Sequence, residues 1–227
     1  MWPDEPDDAS GADPAAVAQQ SAVSIDVLAM RFWARDDAVL LGVAHRENSP
    51  YRGRLALPGV LLRRGVRLAD DARRAVTAKL GVPEAAILAV GQLVTFDEPN
   101  RDPRGPTLSI AMWAVIGEHD DRTAVSWVPL NAPPALAFDH NRIIDESRGI
   151  LRAKLWTDLM FTRALTGQRF PASRAVALSA ALRGGSPDPG NLNRAMARVP
   201  GLHRTDEHVR VKATGRPTTV WAFDAPR

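Results

Sequence analysis

The stretch from Leu57 to Val82, LPGVLLRRGVRLADDARRAVTAKLGV, constrains the fold more than any other part of the chain. Ala72, Val76 and Leu80 recur every four residues, a spacing that predicts an amphipathic helix over about Ala69–Leu80 with Gly81 as its C-terminal stop. Residues 75, 78 and 79 share the other face, because side chains three and four positions apart meet on a helix surface. Carboxylates there would gather a hard divalent cation, which takes oxygen ligands and neutralises charge on a diphosphate. The chain has Ala75, Ala78 and Lys79 instead, so the scaffold of such a site is present without its ligands. Asp70 and Asp71 lie one to two turns away near the helix N-terminus, where the macrodipole favours acids.

Apolar runs flank this helix. Ser24–Met30 and Ala38–Ala44 read as two strands, with Asp36 and Asp37 at the turn between them. The run Arg52–Gly59 then leads into the helical segment. Gly91–Phe96 and Thr107–Ile116 are further strands, joined by the loop Asp97–Pro106 with its Arg-Asp-Pro-Arg-Gly core.

This order of elements resembles the Nudix domain, whose box is written G-x5-E-x7-R-E-U-x-E-E-x-G-U with U aliphatic. With the closing Gly-aliphatic pair on Gly81-Val82, Arg74 falls on the arginine and Val76 on the aliphatic. Val66, Ala75, Ala78 and Lys79 then occupy the four glutamate positions. The Arg101–Gly105 loop is similar to that of ADP-ribose-recognising Nudix proteins. The resemblance covers roughly residues 22 to 130 and implies an α/β (α+β) fold, a Nudix-like α/β/α sandwich, without the chemistry of the intact box.

The rest of the chain is read as a second unit. At 227 residues the length exceeds one typical domain. The formal charge of +3 hides an asymmetry: residues 1–135 carry 14 Lys and Arg against 18 Asp and Glu, a net −4, and residues 136–227 carry 15 against 8, a net +7. A basic half joined to an acidic one points to a polyanionic partner for the basic half. The division follows the proline-rich Pro129–Pro134. The expected organisation is an acidic disordered tail over 1–20, a Nudix-like domain over 21–134, and a linker helix with a second, basic domain over 135–227. The head, rich in Asp and Pro, has no basic n-region and no apolar run, so it is not read as a signal peptide. The absence of cysteine excludes disulfides and Cys-based zinc sites, and no apolar stretch is of membrane-spanning length. The expected location is cytoplasmic.

In the basic half, Ala135–Ile144 opens a helical pattern reaching about Leu155, with Asp139 as a plausible N-cap. After Phe170, Ala175, Leu178 and Leu182 mark a helix stopped by Gly184-Gly185, and Asp188-Pro189 supplies an N-cap and first-turn proline for the next. On that helix Leu192, Met196 and Val199 form the apolar stripe, opposite Asn191, Arg194 and Arg198. Two helices joined by a Gly/Ser/Pro turn meet the requirement of a helix-turn-helix. A wing is expected next: Val209 and Val211 alternate with His208, Arg210 and Lys212, Thr214–Pro217 turns the chain, and Thr219–Phe223 returns it.

The Leu136–His140 run, the Asn191-Leu192-Asn193-Arg194 helix start and Gly215-Arg216-Pro217 resemble the Nudix-related transcriptional regulators of NAD metabolism, which carry an Asn-aromatic-x-Arg helix start and a Gly-Arg-Pro wing. Leu192 departs from that pattern by being aliphatic. The resemblance implies a winged helix-turn-helix repressor of NAD biosynthesis or salvage genes. Its Nudix-like domain would sense ADP-ribose or a related NAD metabolite without hydrolysing it, with no cofactor required. A homodimer on a palindromic operator is expected, since such proteins read two half-sites related by a two-fold axis.

The candidate DNA-binding residues are Asn191, Asn193, Arg194, Arg198, Lys212 and Arg216. Arg194 or Asn191 would reach base edges, Asn193 is off the main polar face, and Lys212 and Arg216 suit phosphates. The candidate ligand residues are Arg46, Lys79, Gln92, Phe96, Arg101 and Arg104. Arginines suit a diphosphate, Phe96 a base, and Lys79 stands where enzymes of the fold hold an acid. His45, His119, His140, His203 and His208 lack metal-ligand spacing, and His45 and His140 read as structural. Two alternatives are a Nudix hydrolase (ADP-ribose pyrophosphatase) with a metal site rebuilt from Glu47, Asp70, Asp71, Glu84 or Glu98, and a nucleotide-binding module that meets only protein partners.

Overall fold

A computed structural model describes residues 21–119, 125–211 and 217–225 of the chain. The acidic head, Lys212 and Arg216, and most of the expected wing turn lie outside the described residues. No helix among the described residues is long and apolar enough to cross a membrane.

A seven-stranded mixed sheet forms the centre. β1 (Ala22–Trp33) lies between β2 (Ala38–His45) and β6 (Thr107–Ile116), and β5 (Ile87–Phe96) flanks β6. β1 and β6 are parallel, in register from Ala22 opposite Thr107 to Met30 opposite Val115, and the other pairings are antiparallel. Three short strands complete the sheet: β3 (Leu55–Ala56) and β7 (Ser126–Pro129) pair with β2, and β4 (Gly59–Leu61) pairs with β1.

The two faces of the sheet have different covers. Ile25, Val27 and Ala29 of β1, with Met112, Ala114 and Ile116 of β6, meet Ala72, Ala75, Val76 and Leu80 of helix α1 (Leu68–Leu80). That helix ends where expected, with Gly81 in the left-handed region at φ 69° and donating its N–H to the Thr77 carbonyl. The alternate residues, Leu28, Met30, Leu41 and Trp113, face the other way and join a core that continues through Ile143, Leu151, Phe161 and Leu178 to Met196 and Phe223. Helices contributed from beyond residue 134 therefore complete the α/β/α sandwich. Trp113 is the large anchor of this second layer, edge-on to Phe161 at 4.9 Å. A Cβ on Gly91 would fall 2.6 Å from the Trp113 indole, so only glycine lets β5 pass there.

Helix α2 (His140–Lys154) starts later than the apolar pattern indicates, because residues 135–139 are held in a non-helical approach. Asp139 stands at its N-cap without capping it: the carboxylate binds Arg101 instead. Helix α3 (Leu159–Thr166), capped by Asp158 accepting from the Phe161 N–H, and β8 (Arg169–Pro171) have no counterpart in the sequence reading. Helix α4 (Ala172–Arg183) ends on Gly184 at φ 77°. Helix α5 (Pro189–Ala197) opens on Asp188, which accepts from the Asn191 N–H at 2.7 Å. β9 (Leu202–Val209) and β10 (Thr218–Phe223) form a three-stranded sheet with β8, in the order β8-β10-β9. β9 begins well before the expected wing strand, and Val209 and Val211 are exposed, so the alternation there buries no apolar face.

Candidate functional site

A cleft of about 570 Å³ opens between the N-terminal half of β1, the end of β2, the chain around Gly59, and the C-terminal end of α1. Its floor is Asp26, a buried carboxylate on β1. Ser109 donates to Asp26 Oδ2 at 2.6 Å and Ser24 at 3.2 Å, Arg101 Nη2 stands 3.7 Å away, and His140 Nε2 is 3.6 Å from Oδ1. Gly59 passes so close that a Cβ would fall 2.4 Å from Oδ1. His140 accepts the Leu57 N–H at Nδ1, 2.9 Å, which leaves the proton of the neutral ring on Nε2, facing Asp26. Burial pushes the His140 pKa down, against the opposing pull of Asp26 and Asp139.

The positions that would hold a divalent cation do not fit one. Ala75 is packed in the core, Ala78 and Lys79 line the cleft, and Val66 adds no oxygen ligand. Asp71 is fully buried and taken up by structure: its carboxylate accepts the Arg63 N–H at 2.8 Å, the Arg63 Nε at 2.8 Å and the Arg74 Nε at 2.9 Å. Arg74, the box arginine, also donates to the Leu61 carbonyl at 2.9 Å. The loop-helix geometry is thus tied by an Arg-Asp-Arg cluster. Of the other acids considered for a rebuilt site, Glu47 lines the cleft, Asp70 and Glu84 are exposed away from it, and Glu98 pairs with Arg142. Among the described residues no three His, Asp or Glu side chains form a group suited to a metal ion.

Four of the six expected ligand residues line the cleft: Arg46, Lys79, Arg101 and Arg104. Two do not. Phe96 is only 2 % exposed and belongs to the core on the far face of the sheet, and Gln92 is exposed on β5 outside the cleft. The four cations also differ in availability. Arg101, whose side chain is 5 % exposed, makes a two-pronged contact with Asp139 at 2.8 and 3.0 Å. Arg104 is clamped by Asp102 at 2.6 and 3.0 Å but remains 59 % exposed. Arg46 has no carboxylate partner among the described residues; its guanidinium donates to the Pro50 and Asn48 carbonyls, and burial with Arg104 nearby lowers its pKa. Lys79 is exposed and forms no ion pair there. His45 and His140, read as structural, both line the cleft, His45 being held to the Gly53 carbonyl at 2.9 Å.

Sequence reasoning missed Asp26 and Phe138 as parts of this cleft, and Asp139 as the partner of its Arg101. The Leu136–His140 run, which reads as a joint between units, is the cleft wall from which α2 departs. Its attachment is extensive: Ala137 N–H donates to the Leu55 carbonyl at 2.8 Å, Arg54 to the Leu136 carbonyl at 2.9 Å, and Asn141 caps the approach through Leu136 and Pro134.

On α5 the expected division of faces is present. Leu192, Met196 and Val199 are buried, whereas Asn191, Asn193, Arg194 and Arg198 are all exposed, and Arg194 donates to the Asn191 side-chain carbonyl at 2.5 Å. Arg198 is the C-cap of the helix, one residue past its end. The following strand is less basic than expected, since Asp206 and Glu207 sit between Arg204 and His208 and Glu207 pairs with Arg169.

No family model matches the chain. The chain is 34 % identical over 118 residues to an ADP-ribose pyrophosphatase of Methanocaldococcus jannaschii, a match covering 49 % of this chain and 66 % of that relative's length. Among solved structures, NrtR of Shewanella oneidensis complexed with a 27-mer DNA superposes with a TM-score of 0.71 at 21 % identity, covering 89 % of this chain and 93 % of that one. A MutT/nudix family protein from Enterococcus faecalis gives 0.67 at 21 %, covering 95 % of each chain. The Nudix domain of the Shewanella protein complexed with ADP-ribose gives 0.50 at 24 %, covering 62 % of this chain and 94 % of that one. Over most of its length, the chain has the fold of the Nudix-related transcriptional regulators.

Proposed function

We propose that this protein is a homodimeric winged helix-turn-helix repressor of NAD biosynthesis or salvage genes, acting in the cytoplasm, whose Nudix-like cleft senses ADP-ribose or a related nucleotide without hydrolysing it. One observation carries the DNA-binding part: a helix with a packed apolar stripe presents Asn191, Asn193 and Arg194 to solvent, with Arg198 exposed at its C-cap and no acid on the helix to oppose a phosphate backbone. The order of α4, a glycine-stopped turn, the Asp188 cap and α5 supports reading α5 as the recognition helix. Arginine pairs with guanine and asparagine with adenine in the major groove, and the structural neighbour crystallised on a 27-mer DNA supports this use of the fold. Lys212 and Arg216 are assigned to phosphates on the sequence alone. The ligand part rests on the cleft: cations at Arg46, Lys79 and Arg104 face the space where a diphosphate would lie, and the Nudix domain of the same neighbour binds ADP-ribose.

The test is selection of duplexes from a random-sequence pool by the full chain, followed by mobility-shift titration of the enriched sequence. The expected result is a two-fold symmetric site bound with steep salt dependence. A pool that returns no enriched sequence contradicts the reading. A hydrolase is the second reading, favoured by the activity of the archaeal relative. Metal-dependent release of AMP from ADP-ribose would establish it in place of the first.

A further inference from the structure

Phe138 is the one phenylalanine lining the cleft among the described residues. Its neighbours Leu136, Ala137 and His140 are buried, but Phe138 itself is only half-buried and turned to the polar cleft. Its backbone is in the left-handed region at φ 55°, where a side chain with a Cβ is strained. The surroundings hold it there through the Ala137 contact with Leu55, the Asp139 pair with Arg101 and the Leu57 bond to His140. Strained backbone of this kind is concentrated at ligand clamps and active sites. The ring is braced edge-on by Tyr51, centroids 4.9 Å apart, and the Arg46 guanidinium carbon lies 4.5 Å from its centroid. Arg104 stands further off at 5.8 Å, on a largely exposed side chain.

We propose that Phe138 and the Arg46 guanidinium over it form the platform on which the ligand's aromatic base stacks, the diphosphate running from there toward Lys79. The inference rests on the nucleotide-sensing reading given above and assigns the base subsite within it. Every base offers a π-face, and both an aromatic ring and an arginine plane stack against one. Phe96, the sequence candidate for this role, is sealed in the core. Elsewhere in the cleft, Asp26, Glu47 and Lys79 suit ribose hydroxyls and phosphates, and the apolar lining at Leu57, Val60 and Leu61 is aliphatic and offers no π-face.

The experiment is calorimetric titration of ADP-ribose into the full chain in the wild-type, Phe138→Leu and Phe138→Trp forms. Leucine keeps the apolar bulk and removes the π-face; tryptophan restores it and adds a reporter. Phe138→Leu should weaken ADP-ribose by about fivefold or more, the lower end for losing one base-aromatic stack, and Phe138→Trp should bind near wild type. The added indole's emission should be quenched by ADP-ribose and left unchanged by ribose 5-phosphate, which has no base. Wild-type affinity in Phe138→Leu, or equal response of the indole to both ligands, overturns the base platform while leaving nucleotide sensing in place. Failure of the folded wild-type chain to bind ADP-ribose overturns the sensing reading and the platform with it.

Discussion

Replacing Asp71 by asparagine shows what holds the loop-helix segment together in place of a metal. Burial raises the pKa of this carboxyl, but the Arg63 N–H and the Arg74 and Arg63 side chains more than reverse that, bringing it from 3.8 to about 2. A displacement of that size corresponds to about 2 kcal/mol of stability at neutral pH. Arg63 and Arg74 are 52 % and 34 % exposed, and screening at those guanidinium groups reduces the expected value to about 1–2 kcal/mol. The folded-state pKa lies below the unfolded one, so the stabilisation is present above about pH 5 and lost as the pH falls from about 4 toward 2, with roughly half gone near pH 3. Urea titrations of the wild type and Asp71→Asn near pH 7 and near pH 3 measure this directly. The gap should be about 1–2 kcal/mol at the higher pH and clearly smaller at the lower. An equal gap at both, or none at neutral pH, refutes the assignment of Asp71 as an ionised clamp.

The protein should release no AMP from ADP-ribose with magnesium or manganese, as judged against an enzyme-free blank, because Val66, Ala75, Ala78 and Lys79 offer no oxygen cage. Arg194→Ala should weaken the selected duplex by about 1–3 kcal/mol and relax preference at one base pair in each half-site, read by mobility shift against a panel of point-substituted duplexes. Arg101→Ala should cost about 3 kcal/mol or more in a thermal melt, because it leaves Asp139 and Asp26 in a buried site without their cation.

Where local rules suffice, the sequence was readable. The four-residue repeat of Ala72, Val76 and Leu80 with Gly81, the β1-β2 turn at Asp36-Asp37, and the Asp188-Pro189 helix start are each decided within a few residues, and the structure has them. The cleft is another matter. Asp26 is one polar residue in an apolar strand, and only the distant Ser109, His140 and Arg101 give it a role. Asp139 stands at a helix start and reads as a cap, yet a bidentate arginine 38 positions away outcompetes the local N–H groups for its oxygens. Phe96 was misplaced for a similar reason: at a strand end its face depends on register, and the register of β5 against β6 shifts between Gln92 and Thr95. The alternation at Val209 and Val211 suggests a half-buried strand, but β9 ends at Val209 and both valines are exposed.

The junction between cleft and helix gives the sensing account its mechanical content. Phe138 and His140 line the cleft, and Asp139 and His140 open α2, which packs against α4 of the helix pair that carries α5. If α4 and α5 bind DNA as proposed, a ligand that shifts this segment acts on them through packed side chains, and ligand and DNA affinities are then linked reciprocally. The most direct measurement is titration of ADP-ribose into the full chain in EDTA, with and without the selected duplex. The account predicts binding without a divalent ion, and a change in ligand affinity on adding DNA equal to the factor by which ADP-ribose changes DNA affinity. Ligand affinity that is the same with and without DNA would contradict it.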